Sequence, residues 1–510
     1  MGHQQTLRRQ LDKTVGISAR DLLAELARQG AMIERLSADS RRCAPGAAFF
    51  AYPGEAGDGR RYIADAIGRG AAAVLWEAEG FAWHPAWRLP NVGVAGLKLQ
   101  AGELAHEFYG RPSEPLWVCG VTGTNGKTSC TQWLAALLGA HGAKTGVIGT
   151  LGSGFPGALT EFANTTPDAL ELHRMLRDML RADARAVAME VSSHGLVQGR
   201  VNGVAFDCAL FTNLSHDHLD YHGSMEEYAA SKARLFDAPG LAAAVLNLDD
   251  VLGVQLARRL QARGVRTIGY TLSEAALAPG SVNEYLAARE IRPQGDSMRV
   301  ALASSWGEAH CVIDQVGRFN VANALGVLGC LVAYGVDFGA AAELLGRLPA
   351  VPGRMQRLGG AGEPLVVVDY AHTPDALDKV LQALRPVASA RGGSLIAVFG
   401  AGGDRDPAKR PVMGEVASRL ADRIVLTSDN PRSEDPLAIV AAVRAGVRVA
   451  HQVEPDRARA VERAILDAAA NDVVLLAGKG HETYQEIAGR RVPFSDLAEA
   501  RAALARWKAR

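Results

Sequence analysis

The chain has 510 residues, too many for one hydrophobic core, so several domains are expected. Hydrophobic residues make up 48% and charged residues 22%, the balance of an ordinary globular protein, and 55 Lys plus Arg equal 55 Asp plus Glu. Such neutrality gives no global pull toward nucleic acid or an anionic membrane, and no apolar run approaches the ~20 residues that span a bilayer.

Residues Met1 to Ala31 mix Arg, Gln, Asp and Glu among leucines and lack the apolar core of a secretion signal, so a cytoplasmic protein is expected. The six cysteines (43, 119, 130, 208, 311, 330) contain no CxxC pair and read as reduced, mostly buried thiols. The apolar run Ala47 to Ala51 leads into the turn Tyr52-Pro53-Gly54, and a helix-like stretch from Tyr62 to Arg69 precedes the strand-like run Ala72 to Trp76. A small α/β domain over 1–114 follows from this, closed by the breaker-rich Tyr109-Gly110-Arg111-Pro112-Ser113-Glu114-Pro115. A second α/β domain spans 115–350, strand-rich near 266–316, and ends at the turn residues Pro349, Pro352 and Gly353. Residues 351–510 alternate apolar strands (Leu365–Val368, Leu395–Phe399, Arg423–Thr427, Val473–Ala477) with helical stretches, which predicts a Rossmann-like parallel sheet.

Between the strand Val118 to Val121 and the helix Ser129 to Leu138 lies Thr122-Gly123-Thr124-Asn125-Gly126-Lys127-Thr128. Backbone N–H groups of such a loop wrap phosphate oxygens, its lysine reaches the β/γ-phosphates and its final hydroxyl faces Mg²⁺. The strict P-loop pattern wants glycine where Val121 stands, with Gly120 one residue earlier. A second strand, Ala186 to Met189, ends in Glu190, the place where nucleotide-binding sheets hold an acid for magnesium, although a lone strand-end glutamate is more often just solvated. Three histidines and two aspartates crowd Thr212 to His222 and read equally as a metal site or a polar loop, since their spacing fits no standard zinc site. Tyr228 and Lys232 stand four apart on a predicted helix. The chain holds nine lysines, and Lys127, Lys232 and Lys479 fall inside these motifs.

Gly120 to Thr128 closely resembles the ATP loop of the Mur ligases, the cytoplasmic amide ligases of peptidoglycan synthesis. Other motifs match in order: Asp39-Ser40-Arg41, Asn164-Thr165-Thr166-Pro167, Glu190-Val191-Ser192-Ser193-His194, the Asp217-His218 segment, Tyr228 with Lys232, Arg318-Phe319-Asn320 with Asn323, and Asp369-Tyr370-Ala371-His372-Thr373-Pro374. Within the family, Gly403-Asp404-Arg405, Asp429-Asn430-Pro431-Arg432 and Gly478-Lys479-Gly480-His481-Glu482 resemble the members that add diaminopimelate to the muramoyl dipeptide.

The resemblance implies a three-domain α/β fold, with a central P-loop sheet between an N-terminal UDP-binding domain and a C-terminal domain for the incoming amino acid. It assigns Ala38, Ser40, Glu55, Ala56, Gly57, Asn164, Thr165, Thr166, Ser192, Gln198 and Arg200 to the UDP-muramoyl-dipeptide. ATP falls to Gly123, Thr124, Asn125, Gly126, Lys127, Thr128, Asn320, Asn323, Arg354 and Asp369. Magnesium falls to Thr128, Glu190, His218 and Lys232, the last as a carbamate, with Lys127, Lys232, His218 and Glu190 central to catalysis. Diaminopimelate falls to Arg405, Asp429, Asn430, Pro431, Arg432, Gly478 and Glu482. The implied partners are small molecules only, without nucleic acid or membrane insertion, for a protein acting as a monomer.

The C-terminal motifs carry an argument of their own. Each follows an apolar strand, and open parallel sheets bind ligands outside the carboxyl ends of their strands, so the motifs are expected to converge. Arg432 suits bidentate binding of the distal carboxylate of diaminopimelate, and Glu482 suits its distal ammonium. Competing readings are a lysine-adding or folylpolyglutamate-type ligase, a P-loop motor and a UDP-sugar-binding module.

Overall fold

The computed structural model describes residues 18–509 apart from 56, 163, 278, 279, 295 and 296. Internal contacts divide the chain into two units. The first comprises the chain up to Gly120, Ala143–Ala209 and Arg234–Ala242; the second comprises Val121–Gly142, Leu210–Ala233 and the chain from Ala243 onward.

In the first unit, β1 (Arg35–Ser37), β2 (Ala47–Ala51), β3 (Ala73–Glu77) and β4 (Asn91–Val94) form a parallel sheet in that order. β2 and β3 are buried on both faces, which is why they read as unbroken apolar runs. Phe50 and Leu75 pack with Leu22, Leu26 and Leu104 from the helices Ala19–Arg28 and Leu97–Phe108. Phe49, Val74 and Trp76 face Ile63 and the aromatic group Phe81, Trp83 and Trp87. Glu77, at the end of β3, accepts the N–H groups of Gly96 and Leu97 at 3.0 and 2.9 Å, capping a helix whose own cap residue has no side chain.

The first unit also holds β6 (Thr145–Gly149), β7 (Gly152–Phe155), β8 (Ala158–Thr160) and β9 (Ala186–Glu190), with most of β5 (Trp117–Thr122) and the start of β10 (Cys208–Phe211). Their order is β10-β5-β9-β6-β7-β8.

In the second unit the end of β10 is followed in sheet order by β11 (Ala243–Asn247), β12 (Arg266–Thr271), β13 (Glu284–Gln294), β14 (Ser297–Ser304) and β15 (Gly307–Ile313). β11 to β13 are parallel, whereas β13 to β15 form an antiparallel meander whose alternating burial accounts for the strand-rich stretch expected near 266–316. The helix Arg318–Tyr334 is buried along most of its length and packs on the helix Lys127–Ala140 and β12.

A further sheet comprises β16 (Gln356–Gly359), β17 (Leu365–Asp369), β18 (Leu395–Phe399), β19 (Arg423–Leu426), β20 (His451–Val453) and β21 (Val473–Ala477), in the order β16-β17-β21-β18-β19-β20. All pairings are parallel except that of β16. Its two faces bury separate apolar clusters under helices. A short hairpin, β22 (Tyr484–Ile487) with β23 (Arg490–Pro493), follows. The wholly buried Arg457 pairs with Asp496 at 2.7 Å and also donates to the carbonyls of Ala477 and Ser428. It thereby anchors the last helix, Asp496–Lys508, against the carboxyl ends of β19 and β21.

Candidate active site

Val121, which occupies the place of a glycine in the strict P-loop pattern, is a fully buried core residue of β5, and the phosphate loop begins after it. Gly123 has φ +148°, and a Cβ there would lie 1.9 Å from Thr212 Oγ1; Gly126 has φ +89°, and a Cβ would lie 2.4 Å from Asn323 Oδ1. Both positions therefore require glycine. The residues after β10 hold the loop. Thr124 N–H donates to Asn213 O at 2.8 Å and Asn125 N–H to Asn213 Oδ1 at 3.0 Å, while Thr212 Oγ1 and Asn213 Nδ2 donate to Asn125 O at 2.6 and 3.1 Å. The helix Lys127–Ala140 starts without a side-chain cap, leaving N–H groups and the positive helix end for an anion. Lys127 Nζ donates to the carbonyls of Gly123 and Thr124 at 2.8 and 3.0 Å.

The polar segment after β10 and the following helix assemble beside this loop. Tyr228 OH lies 3.2 Å from Thr124 Oγ1, the Lys232 ammonium stands 4.3 Å from the Tyr228 ring centroid, and the His218 ring meets the same tyrosine edge-on. Lys232 is 1% exposed; burial holds its amine well below the ordinary lysine range, and the charge of Lys127 pushes the same way. Burial alone would raise the Asp217 carboxyl, but neighbouring His372, His218 and Lys409 outweigh it and hold it below the usual range.

Arg354 donates from Nη2 to Thr128 Oγ1 at 3.1 Å and lies over the Tyr370 ring. Asp369, at the end of β17, accepts the N–H groups of Met355 and Ala371 at 2.7 and 2.8 Å and so fixes the backbone on either side of Arg354 and Tyr370. Asn320 and Asn323 are buried on the helix Arg318–Tyr334; Asn320 Nδ2 donates to Val316 O, and Asn323 closes on Gly126. Arg354, Asp369, Asn323 and the phosphate loop are thus gathered in one place.

In the first unit, Glu190 receives hydrogen bonds at its carboxylate from Thr150 N and Thr150 Oγ1 at 2.8 and 3.1 Å. Thr165 Oγ1 is 3.2 Å from the Thr150 hydroxyl. Thr166 Oγ1 lies 3.0 Å from Glu190 O and 3.1 Å from Ser192 Oγ, and Ser192 caps the short helix Ser193–Val197. Arg200 donates to Thr166 O at 2.7 Å and to Gln198 Oε1 at 2.8 Å, and Gln198 Nε2 bonds the Glu55 carboxylate. One polar chain therefore joins Glu55, Gln198, Arg200, Thr166, Ser192 and Glu190. Ser40 is buried in a short helical turn capped by Asp39, and its hydroxyl helps to hold the Asp65 carboxyl below its usual range. Ala38 is half-buried, Gly57 and Asn164 are exposed, and Ala56 lies outside the described residues.

The four C-terminal motifs converge as expected, the Gly478 N–H donating to Asp369 O at 3.1 Å. Lys479 is completely buried; its Nζ donates to Asn430 Oδ1 at 2.7 Å and pairs with Glu482, whose carboxylate also accepts Asn430 Nδ2 at 2.9 Å. A Cβ on Gly478 would lie 2.3 Å from Asp429 Oδ2, so this glycine lets two strand ends meet. Pro431 O would lie 2.0 Å from a Cβ on Gly403. Arg432 donates from Nη1 to Gly403 O at 2.7 Å, with Glu486 3.4 Å from Nε. Arg405 stays apart: it is exposed, and its Nη1 donates to the carbonyl of its neighbour Asp404. His218, Met355, Asp404 and Arg432 all hold positive φ, a strain that non-glycine residues keep only where the surroundings enforce it.

Several participants were not singled out from sequence. Thr150, Asp375 (which accepts Asn125 Nδ2 at 3.2 Å) and Lys409 lie outside every recognised motif. A strand-end threonine and a helix-opening aspartate are too common to signal a site alone.

A nucleotide-type phosphate loop and a second parallel sheet that gathers charged side chains at its strand ends lie in the same unit. Family models agree along most of the chain. A Mur ligase family catalytic domain matches residues 32–109, a Mur ligase middle domain 121–331, and a Mur ligase glutamate ligase domain 353–480. The chain belongs to the Mur ligase family of ATP-dependent, amide-bond-forming enzymes. It is 52% identical over 491 residues to the UDP-N-acetylmuramoyl-L-alanyl-D-glutamate–2,6-diaminopimelate ligase of Ectopseudomonas mendocina (strain ymp), covering 96% of this chain and 98% of that one. A solved structure of a ligase with the same name aligns at a TM-score of 0.66 with 36% identity, covering 93% and 95% of the two chains. A MurF ligase from Thermotoga maritima, solved with ADP, shares the fold at a TM-score of 0.63 and 19% identity, covering 94% and 98%.

Proposed function

We propose that this chain adds 2,6-diaminopimelate to UDP-N-acetylmuramoyl-L-alanyl-D-glutamate with cleavage of ATP, in the cytoplasmic assembly of peptidoglycan precursors. The observation that carries this reading is the Asn430–Lys479–Glu482 network beside Arg432, at the strand ends of the unit that also holds the phosphate loop. Domains at 1–114, 115–350 and 351–510 would bind the UDP-dipeptide, ATP and the amino acid, in a monomer.

ATP would transfer its γ-phosphoryl group to the γ-carboxylate of D-glutamate, forming a C–O–P bond and releasing ADP. The diaminopimelate amine would attack that carbonyl carbon, and phosphate would leave as the amide forms. Lys127 and the uncapped helix start offset the phosphate charge, while Arg354 steadies Thr128 at the loop's end. Arg432 offers its guanidinium to the distal carboxylate and Glu482 an acid to the distal ammonium; lysine would forgo the carboxylate contact and leave Arg432 with only Gly403 O and Glu486, a difference that discriminates by up to about 10⁴-fold.

Magnesium would offset charge on the transferring phosphoryl group, and within the second unit Thr128, His218 and Lys232 would offer it donors. The donor chemistry fits. Burial, with the charge of Lys127 beside it, holds the Lys232 amine well below the ordinary lysine range, which favours its unprotonated form. Combining with CO₂, it gives R–NH–COO⁻ and one released proton, an oxygen ligand of the sign that Lys127 attracts.

Phosphate release measured with each substrate omitted in turn tests the reading. Release should require the UDP-dipeptide, ATP and the amino acid together. Full release from ATP alone would mark a motor-type ATPase and overturn it.

A further inference from the structure

The segment that cradles the phosphate loop is itself held by a further set of side chains. Asn247, the buried last residue of β11, donates from Nδ2 to Thr212 O at 2.7 Å. Asp250 accepts Leu214 N at 2.7 Å through one carboxylate oxygen and Leu252 N at 2.9 Å through the other. Tyr270 OH, from β12, donates to Phe211 O at 3.0 Å. The backbone of residues 211–214 is thus pinned by the ends of β11 and β12, while Ser215 N donates to Thr124 Oγ1 at 3.0 Å on the loop itself.

The pins are fixed in turn. Asn247 Oδ1 accepts Asp249 N at 3.0 Å, and Asp249 accepts Leu272 N at 2.8 Å together with the Thr271 hydroxyl. A Cβ on Gly253 would lie 1.8 Å from Asn247 O, so the helix Val251–Ala262 closes on the end of β11 only with glycine there. Asn247 therefore uses its donor and its acceptor at once, and Asp250 uses both of its oxygens. Capping the helix needs only one of those oxygens. The other is committed to Leu214, the neighbour of Asn213, whose side chain bonds Asn125 of the loop.

We propose that Asn247 and Asp250 are positioning residues for ATP. Acting through the backbones of Thr212 and Leu214, they set where Thr212 Oγ1 and the Asn213 amide stand, and so where the loop presents its N–H groups to the phosphates. A loop held in this way needs no rearrangement when phosphate arrives. The proposal rests on the ATP reading of the loop and is independent of which amino acid is added.

Calorimetric binding of a non-hydrolysable ATP analogue with Mg²⁺, measured on the full chain beside the denaturant midpoint, tests this. Serine caps helices about as well as aspartate but is too short to hold Leu214 N as well, so Asp250→Ser keeps the cap and loses the pin. It should weaken analogue binding about tenfold, the worth of one hydrogen bond to a charged group, with the midpoint near that of the wild type. Asn247→Asp, equal in size, sets an acceptor against Thr212 O and should weaken binding further. Asp337→Ala removes a cap of the same kind from the helix Phe338–Leu344, where Asp337 accepts Gly339 N and Ala340 N. That change should lower the midpoint and leave analogue binding unchanged. In turnover, Asp250→Ser should raise the KM for ATP and leave the KM of the other two substrates at wild-type values. Wild-type analogue binding by Asp250→Ser would overturn the proposal, as would an equal rise in all three KM values. A wild type that binds no analogue would overturn the ATP reading of the loop itself.

Discussion

Arg354 donates from Nη2 to Thr128 Oγ1 at 3.1 Å while its guanidinium lies 4.5 Å from the Tyr370 ring centroid. The two contacts use the fork and the flat face of one side chain, which an ammonium cannot reproduce. Arg354→Lys is therefore expected to lower kcat/KM for ATP about tenfold, and Arg354→Ala about 10²–10³-fold, in the range of removing one preorganised donor. Phosphate-release kinetics at varied ATP check this; wild-type behaviour of Arg354→Lys would mean that charge alone matters.

Lys479 is fully buried and bonded to both Asn430 and Glu482. Removing one member of such a pair strands the other, so Lys479→Met should destabilise the protein by about 3–5 kcal/mol. Replacing both charges, in Lys479→Met with Glu482→Gln, should recover much of that stability without restoring amino-acid binding. Denaturant unfolding of the single and double variants checks the coupling.

Gly123 and Gly142 both adopt positive φ, but a Cβ would strike Thr212 Oγ1 at the first and meet open space at the second. Gly142→Ala should cost about 1 kcal/mol of stability and leave turnover intact. Gly123→Ala should lose ATP-dependent turnover by more than about 10²-fold, because the loop must shift from its donors. Equal turnover in the two variants would show that the loop tolerates displacement.

The phosphate loop was legible in sequence because its function demands consecutive residues, and the strand-end motifs because apolar strands frame them. Their convergence followed from topology alone. What remained hidden is made of long-range contacts: Thr212 and Asn213 cradle Asn125 from about ninety positions away, Thr150 supports Glu190 from the turn after the neighbouring strand β6, and Asp375 reaches Asn125 across 250 residues. Arg405 illustrates the reverse, since its motif pointed to the amino-acid cluster while its side chain lies exposed outside the buried network.

Burial lowers the His173 imidazole to about 4, its Nε2 lies 2.9 Å from Asn202 O, and the His106 ring stands 5.3 Å away. The unfolded chain protonates near ~6.5, so between roughly 6.5 and 4 it binds more protons than the folded protein. Stability from this group is thus present above ~6.5 and is lost as pH falls toward 4, by up to about 3 kcal/mol. His173→Gln, which keeps a donor for Asn202 O but does not titrate, should flatten the fall in Tm between pH 7 and 5. An unchanged slope would assign the acid sensitivity to other groups.

The acceptor panel tests the central claim most directly. With ATP, Mg²⁺ and UDP-N-acetylmuramoyl-L-alanyl-D-glutamate held constant, phosphate release and product formation are measured with meso-diaminopimelate, L-lysine and ornithine. Diaminopimelate should support turnover, with kcat/KM at least about 10³-fold above lysine and ornithine, as a site that uses Arg432 to recognise the distal carboxylate requires. Comparable turnover with lysine would contradict the account.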